Sequence, residues 1–147
     1  AALSLPGVDK IVLSGSNKIN GVPWSGVGSP LGTFCLGSTY ELMLGNPGQD
    51  KVHPFHSHSH SFQVVDYPPG DDDVVRPGEW RDVVPAEGVL VRFRPEDFTG
   101  PALIHCTILQ HEDLGMMSAI SVVDCPPSPP GGEGEASSEP VTPVGAQ

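Results

Sequence analysis

The stretch "VLVRFRPEDFTGPALIHC", residues 89–106, contains two short apolar runs that are separated by a turn. In the first run Val89, Val91 and Phe93 occupy every second position, and arginines lie on the opposite side. Successive side chains of an extended chain point to opposite faces, so this period of two predicts a half-buried β-strand. The segment "FTGP" supplies a turn, and "ALIHC" predicts the next strand.

Similar patterns recur along most of the chain. Clusters of Pro and Gly separate the runs, and no window of helical length keeps a period of 3.6 residues. The pattern indicates an all-β fold, a β-sandwich or barrel with Greek-key connections. The other alternating or β-branched runs lie at 9–14, 39–44, 60–66, 79–84 and 118–124.

Composition limits the possible classes of function. A chain of 147 residues has about the length of one domain. Its 18 acidic and 7 basic residues give a net charge of −11, which disfavours nucleic acid and anionic membrane surfaces as partners. The apolar runs are too short for a transmembrane helix, and "AALSLPGV" at the start lacks the features of a signal peptide. We therefore expect no nucleic-acid partner and no membrane association.

The C-terminal segment 126–147 differs from the rest of the chain. Pro, Gly, Ser and Glu dominate it, and it contains no Lys or Arg. Such a segment offers too little apolar surface to join a packed core. We predict one folded domain over residues 1–125 and a disordered tail over 126–147.

All six histidines lie in two short runs, of which the first is "HPFHSHSHSF", residues 53–62. In an extended segment the side chains of His56, His58 and His60 share one face. His53 lies out of phase with them. One run can therefore contribute ligands to two different sites.

The second run, "HCTILQHEDLGMM" at 105–117, has the same property. The side chain of His105 points to the face opposite Cys106, and the chain then turns to bring His111 and Met116 back. Together the two runs offer a thiolate, imidazoles and a thioether to metal ions.

Four of these side chains match a known ligand set. Cys106, His53 and His111, with Met116 as a weak axial donor, are the donors of a blue-copper electron-transfer site. A Cys/His set can also hold zinc, although methionine is a poor zinc ligand. We expect copper, because soft sulfur combined with imidazole nitrogen suits both of its oxidation states.

The two runs resemble the paired copper motifs of the last cupredoxin domain of multicopper oxidases, the family of laccases, bilirubin oxidases, cuprous oxidases and ferroxidases. The ending "HEDLGMM" most resembles the bacterial laccase and cuprous-oxidase branch. The resemblance implies a cupredoxin-like Greek-key β domain in a laccase-like oxidoreductase, which takes electrons from a phenolic or metal-ion donor and reduces dioxygen. It also favours a secreted or periplasmic location. Further similar segments are "INGVPW" (19–24), "NPG" (46–48), "RPGEWRDVVPAEG" (76–88) and "VRFRPEDFTGPALIHC" (91–106).

The resemblance implies a role for each matching residue. His53, Cys106 and His111 would hold type 1 copper, with Met116 as the axial ligand. Because Cys106 and His105 are covalent neighbours, the backbone would give electrons a short route to the oxygen-reducing cluster.

That trinuclear cluster would take its ligands from the other histidines. His56 would bind type 2 copper, and His58 and His105 would bind the type 3 pair. Glu112 resembles an acidic residue that relays protons to the oxygen site and is the candidate catalytic residue. It can equally be an exposed loop carboxylate, since acidic side chains are mostly on the surface.

Two departures from the family pattern concern the same cluster. The family motif reads His-Cys-His, whereas Thr107 follows Cys106 here, so one type 3 copper loses an imidazole. The family also builds the cluster between its first and last domains, and this chain has no His-x-His pairs beyond the histidines already assigned. We expect that the isolated chain can neither complete the cluster nor reduce dioxygen to water.

Three interpretations stay open. The chain can be part of a longer oxidase whose upstream cupredoxin domains are its partners, and the abrupt start "AALSLPGVDK" favours this interpretation. It can be a single-domain blue-copper carrier that passes electrons to a partner protein. It can also be a degenerate copper-binding domain without turnover.

Smaller differences surround the ligands. Ser57 and Ser59 occupy positions where the family usually has Leu and Gly, which can alter copper potential or affinity. His60 is not expected to be a ligand and is interpreted as a strand histidine. Cys35 and Cys125 are either a disulfide, as expected in an oxidising compartment, or two buried thiols.

Overall fold

The computed structural model describes residues 9–45, 51–68 and 74–126. The predicted tail after Pro126 lies outside the described residues. Within the described ranges the chain forms eleven strands and one short helix, α1 (Leu109–Asp113). The strands are β1 (Lys10–Ile11), β2 (Leu13–Ser14), β3 (Lys18–Ile19), β4 (Thr33–Cys35), β5 (Tyr40–Gly45), β6 (His53–Ser57), β7 (Phe62–Asp66), β8 (Trp80–Arg81), β9 (Val83–Phe93), β10 (Gly100–Cys106) and β11 (Met117–Val123).

These elements confirm the all-β prediction. Every run that was predicted to be extended contains at least one strand. The pattern did not predict β3 and β4, which lie outside the alternating runs and are too short to show a period of their own. No helix in the described part of the chain is long and apolar enough to span a lipid bilayer.

Strand β9 curls the sheet. Its first residues, 83–86, pair with β6, and residues 87–93 pair with β5. The later residues also pair with β7 on the other edge. Gly88 lies where the partners change and has a φ of 97°, a conformation that strongly favours glycine. One long strand therefore joins the two layers of the fold.

The remaining pairings extend these layers. The sheet order is β1-β5-β9-β6-β10-β11-β4, and β8 pairs with β7 at one side. Strand β1 runs parallel to β5, and β4 runs parallel to β11. Parallel neighbours require a crossover connection, so these edge pairs join distant parts of the chain.

The core confirms the alternation seen in the sequence. Val89, Val91 and Phe93 are buried, whereas Arg92 is exposed and donates a 2.8 Å hydrogen bond to Glu41 on the neighbouring strand. Opposite charges on facing strands stabilise the pair modestly. Aromatic rings fill the centre of the core, among them Phe34, Tyr40, Phe55 and Phe62.

The predicted alternation of the histidine run fails at its end. Strand β6 stops at Ser57, and Ser59 has a φ of 61°. This left-handed residue turns the chain, so His60 does not share the face of His56 and His58. His60 lies outside any strand, buried against an aromatic cluster that includes Phe93, 5.8 Å away between ring centroids. The expectation of a strand histidine was therefore wrong.

Cys35 and Cys125 form a disulfide with a Cα–Cα distance of 5.3 Å. The bond lies beside the parallel pair of β4 and β11, where Cys35 is in register with Val123. It closes a loop across a sequence separation of 90 residues. Of the two alternatives left open by the sequence, the paired one is correct.

We predict that the double substitution Cys35→Ser/Cys125→Ser lowers the free energy of unfolding by about 2–5 kcal/mol. The bond restricts the unfolded chain over a long loop, and that restriction is lost with the thiols. Denaturation by guanidinium chloride measures the effect. The original chain treated with reductant serves as the control and should lose as much stability as the variant. A loss below about 1 kcal/mol would contradict an important stabilising role for the bond.

Candidate metal centres

The pairing of β6 with β10 sorts the candidate ligands into two groups. Cys106 lies opposite Phe55, and His105 lies opposite His56. Residues directly opposite each other in an antiparallel pair point to the same face of the sheet. Cys106 therefore shares a face with Phe55 and with His53, two residues earlier, while His105 shares the other face with His56.

The first group, which we call site A, consists of His53, Cys106 and His111. The Cys106 Sγ lies 3.8 Å from the Nδ1 atoms of both His53 and His111. The two Nδ1 atoms are 3.2 Å apart. His53 and Cys106 are fully buried, and His111 is partly exposed. Site A is thus a compact triangle of one sulfur and two nitrogens beneath the surface.

The segment after Cys106 closes this triangle. Helix α1 carries His111, whose carbonyl accepts a 2.9 Å hydrogen bond from the Met116 N–H. The Met116 carbonyl in turn accepts a 3.1 Å hydrogen bond from the Cys106 N–H. Gly115, with a φ of 102°, allows the tight return. The turn therefore brings the backbone of Met116 back beside Cys106, and Met116 is fully buried. The sequence predicted Met116 as the axial donor.

Burial sets the protonation of site A. It raises the pKa of the Cys106 thiol, and a hydrogen bond from the Ile108 N–H to the sulfur opposes that rise. Burial also lowers the pKa of His53, helped by the neighbouring His111. In the absence of an ion burial favours the neutral forms of Cys106 and His53, so a bound ion must displace the thiol proton.

The second group, site B, consists of His56, His58 and His105. The Nε2 atoms of His58 and His105 lie 2.9 Å apart. His56 Nδ1 contacts the backbone carbonyl of Asp82 at 2.9 Å, and His105 Nδ1 contacts that of Cys106 at the same distance. Burial is the main cause of the lowered pKa of His58.

Two further residues flank site B. Glu112 Oε2 lies 3.6 Å from His105 Nδ1, and the Glu112 side chain is 29% exposed. The expected role of Glu112 is thus compatible with its position, whereas Asp113 is exposed on the same helix. Thr107 is exposed, and its N–H donates a 3.0 Å hydrogen bond to the Pro54 carbonyl.

Donor chemistry decides which ions fit. A thiolate with two imidazoles suits copper or zinc, and three imidazoles suit several divalent transition metals. All seven predicted ligands lie in or beside the two sites. The sequence did not reveal the Asp82 carbonyl as a partner of His56, because the two are 26 residues apart and no local pattern connects them.

We predict that the metal-free chain loses stability as the pH falls from about 7.5 to 5.5. The pKa values of His53, His58 and His60 are lowered from 6.5, so these side chains are neutral in the fold and protonate more readily when it unfolds. Their contribution is present above pH 6.5 and is lost as the pH falls through the lowered values. Urea denaturation in the presence of a chelator measures the change. In the variant His60→Gln the free energy of unfolding should depend less steeply on pH. Equal stability of the original chain at pH values of about 7.5 and 5.5 would refute the assignment of lowered pKa values to these histidines.

The chain is similar to known proteins both in sequence and in structure. The family model for multicopper oxidases matches residues 3–124. Laccase-3 of Thanatephorus cucumeris is 41% identical over 73 residues, which cover 48% of this chain and 12% of that protein. Bilirubin oxidase of Albifimbria verrucaria is 33% identical over 115 residues, which cover 74% of this chain and 20% of that protein.

Solved structures agree with the sequence matches. A laccase from Pediococcus acidilactici superposes with a TM-score of 0.66 at 28% identity, covering 84% of this chain and 29% of that one. The chain therefore spans between about an eighth and a third of the length of these relatives. The curled all-β sheet is the cupredoxin-like fold expected from the resemblance. This chain belongs to the multicopper oxidase family and forms one cupredoxin-like domain of it.

Proposed function

We propose that site A holds a type 1 copper and that the chain is the last domain of a laccase-like oxidase. The triangle of Cys106, His53 and His111 is the observation that carries this proposal. When bound, copper would take single electrons from a reducing substrate and release them towards the oxygen-reducing cluster. The family membership supports the assignment, because oxidases of this kind use copper for both steps.

The donor set of site A favours copper over a structural zinc. The sulfur of Cys106 and the Nδ1 atoms of His53 and His111 lie within 3.8 Å of one another and would hold the ion. Met116 follows in the same turn, and a thioether beside one thiolate and two imidazoles is typical of blue-copper sites, whereas structural zinc sites use Cys and His.

The residues around site A would provide both an entry point for the electron and a route out to site B. Burial of Cys106 excludes water from the sulfur, and partly exposed His111 brings the site to the surface, where a phenolic or metal-ion donor can approach. Cys106 is bonded through the backbone to His105 of site B. The His105 Nδ1 contact with the Cys106 carbonyl adds a second connection between the two residues.

Glu112 is the candidate proton relay of the oxygen site. Its carboxylate lies 3.6 Å from His105 Nδ1 and keeps partial access to solvent. A carboxylate in this position can exchange protons with water on one side and deliver them towards site B on the other. Asp113, the next residue on the same helix, is exposed and has no such position beside site B.

The oxygen site requires partners. Site B supplies three imidazoles, and Thr107 stands where the family has a fourth. We propose that upstream cupredoxin domains of the same oxidase supply the remaining ligands. Site A has its thiolate and both imidazoles, whereas Thr107 replaces a histidine of the oxygen site. This difference favours a second candidate function, in which the domain carries electrons to a separate protein. If copper in site A does not cycle between its two oxidation states, the chain is a copper-binding domain without turnover.

We predict that the copper-loaded chain shows an intense thiolate-to-copper absorption band and a type 1 electron-spin resonance signal. The band requires the Cys106 sulfur, so Cys106→Ser should abolish it. Thr107→Ser, which changes an exposed neighbour of the cysteine and no ligand of site A, should leave it intact. A colourless copper complex, or preferential retention of zinc, would refute the type 1 assignment.

We also predict that the copper-loaded chain accepts electrons from a phenolic donor but does not sustain dioxygen consumption. The reason is that the ligands present in site B are too few for a trinuclear cluster. Bleaching of the blue band measures the electrons accepted, and an oxygen electrode measures turnover. A complete laccase is the positive control. Sustained reduction of dioxygen to water by this chain alone would contradict the proposed dependence on upstream domains.

A further inference from the structure

We infer that a cavity in the core of the domain binds one small apolar gas molecule, of the size of xenon or dioxygen. The cavity has a volume of about 10 Å³ and lies between the two layers of the curled sheet. None of the candidate metal ligands is among its described lining residues. The inference therefore depends on no bound metal and rests on the position and chemistry of the cavity walls.

The cavity lies against the inner face of β6 and β10. Phe55 and Ser57 are two residues apart on β6, and Ile104 pairs with Ser57 across the strands. Cys106 pairs with Phe55, so these lining side chains point to the face of site A and away from the face of site B. Side chains of β5 and β9, from the other layer, complete the lining.

Ser57 accounts for the empty space at this position. It is buried, and the related oxidases usually have the larger side chain of leucine there. Around it, Phe34 and Phe93 meet edge to face with ring centroids 5.3 Å apart, and Phe55 lies 5.9 Å from Phe62. Such rings cannot turn into a gap without giving up these contacts. The core therefore keeps a void where a leucine side chain would otherwise fit.

The chemistry of the walls excludes water. A buried water molecule typically makes about two to four hydrogen bonds to polar groups. Among the lining residues in the described part of the chain, every side chain except that of Ser57 is apolar. The Ser57 N–H is already used, because it donates a 3.0 Å hydrogen bond to the Asp82 carbonyl. One hydroxyl is too little for a water molecule, and apolar cavities of this kind stay dry and bind xenon.

The size of the cavity restricts the class of ligand. A volume of about 10 Å³ is close to the least that holds one small molecule, so aromatic donors are excluded. All the described lining residues are buried, and a gas molecule among them would restore the dispersion contacts that the void lacks. Dioxygen is the member of this class that an oxidase meets, and that clause rests on the proposed function. On the face of site A the cavity would store dioxygen without reducing it.

The test is methyl NMR of the full-length, metal-free chain under xenon pressure. We expect the methyl signals of the lining residues Val91, Ile104 and Ile120 to shift and to reach saturation as the cavity fills. The methyl signals of Val22 and Val27, which are exposed, should show no saturable shift.

Variants at Ser57 separate cavity binding from general contact with the gas. Ser57→Leu should abolish the saturable shifts because its side chain fills the void, and Ser57→Ala, the matched control, should keep them. If circular dichroism shows that Ser57→Leu does not fold, Ser57→Val fills part of the void and should weaken xenon binding. The inference is overturned if the original chain shows no saturable shift or if the folded filling variant binds xenon as well as the original chain does. Xenon binding by Ser57→Ala alone would also overturn it, because the hydroxyl would then be holding water in the cavity.

Dissolved dioxygen tests the second ligand of the class. Because dioxygen is paramagnetic, it should broaden the methyl signals of Ile104 more than those of exposed Val22, and Ser57→Leu should remove the difference. Equal broadening at the two positions in the original chain would overturn the assignment to dioxygen. None of these measurements involves copper, so absence of a blue band from the copper-loaded chain would contradict the proposed function and leave the xenon result standing.

Discussion

The register between β6 and β10 is the constraint on which both metal sites depend. His105 pairs with His56, and Cys106 pairs with Phe55. Since neighbouring residues on a strand point to opposite faces, this register places His105 on one face and Cys106 on the other. A shift by one residue would exchange the faces and separate Cys106 from His53. The long strand β9 stabilises this register, since it pairs with β6 from the other side and carries the curl of the sheet.

The two faces give the sites different surroundings. Site A is buried apart from partly exposed His111, so electrostatic interactions there are strong, and burial favours the neutral forms of His53 and Cys106. Site B is more open and flanked by carboxylates. A dry sulfur-containing site suits rapid electron transfer with little rearrangement, and a wet imidazole site suits exchangeable ligands. The peptide bond between His105 and Cys106 joins the two sites.

Thr107 belongs to neither group of candidate ligands. It contributes nothing to the triangle of site A, whose ligands come from β6, β10 and the turn that follows. The matched relatives are three to eight times longer than the part of them that this chain covers. The domain therefore brings a thiol and two imidazoles together at site A, and the oxygen chemistry proposed for site B needs ligands beyond its three histidines.

Local pattern was sufficient for most of the strands and for the division of ligands between two sites. Both follow from the period of two, which is a property of any extended chain and needs no knowledge of neighbours. The same reasoning failed at His60, because one left-handed residue, Ser59, interrupts the alternation. Pairing of Cys35 with Cys125 and the contact of His56 with the Asp82 carbonyl also required the folded chain. These contacts join residues far apart in sequence, and only the packing of strands brings such residues together.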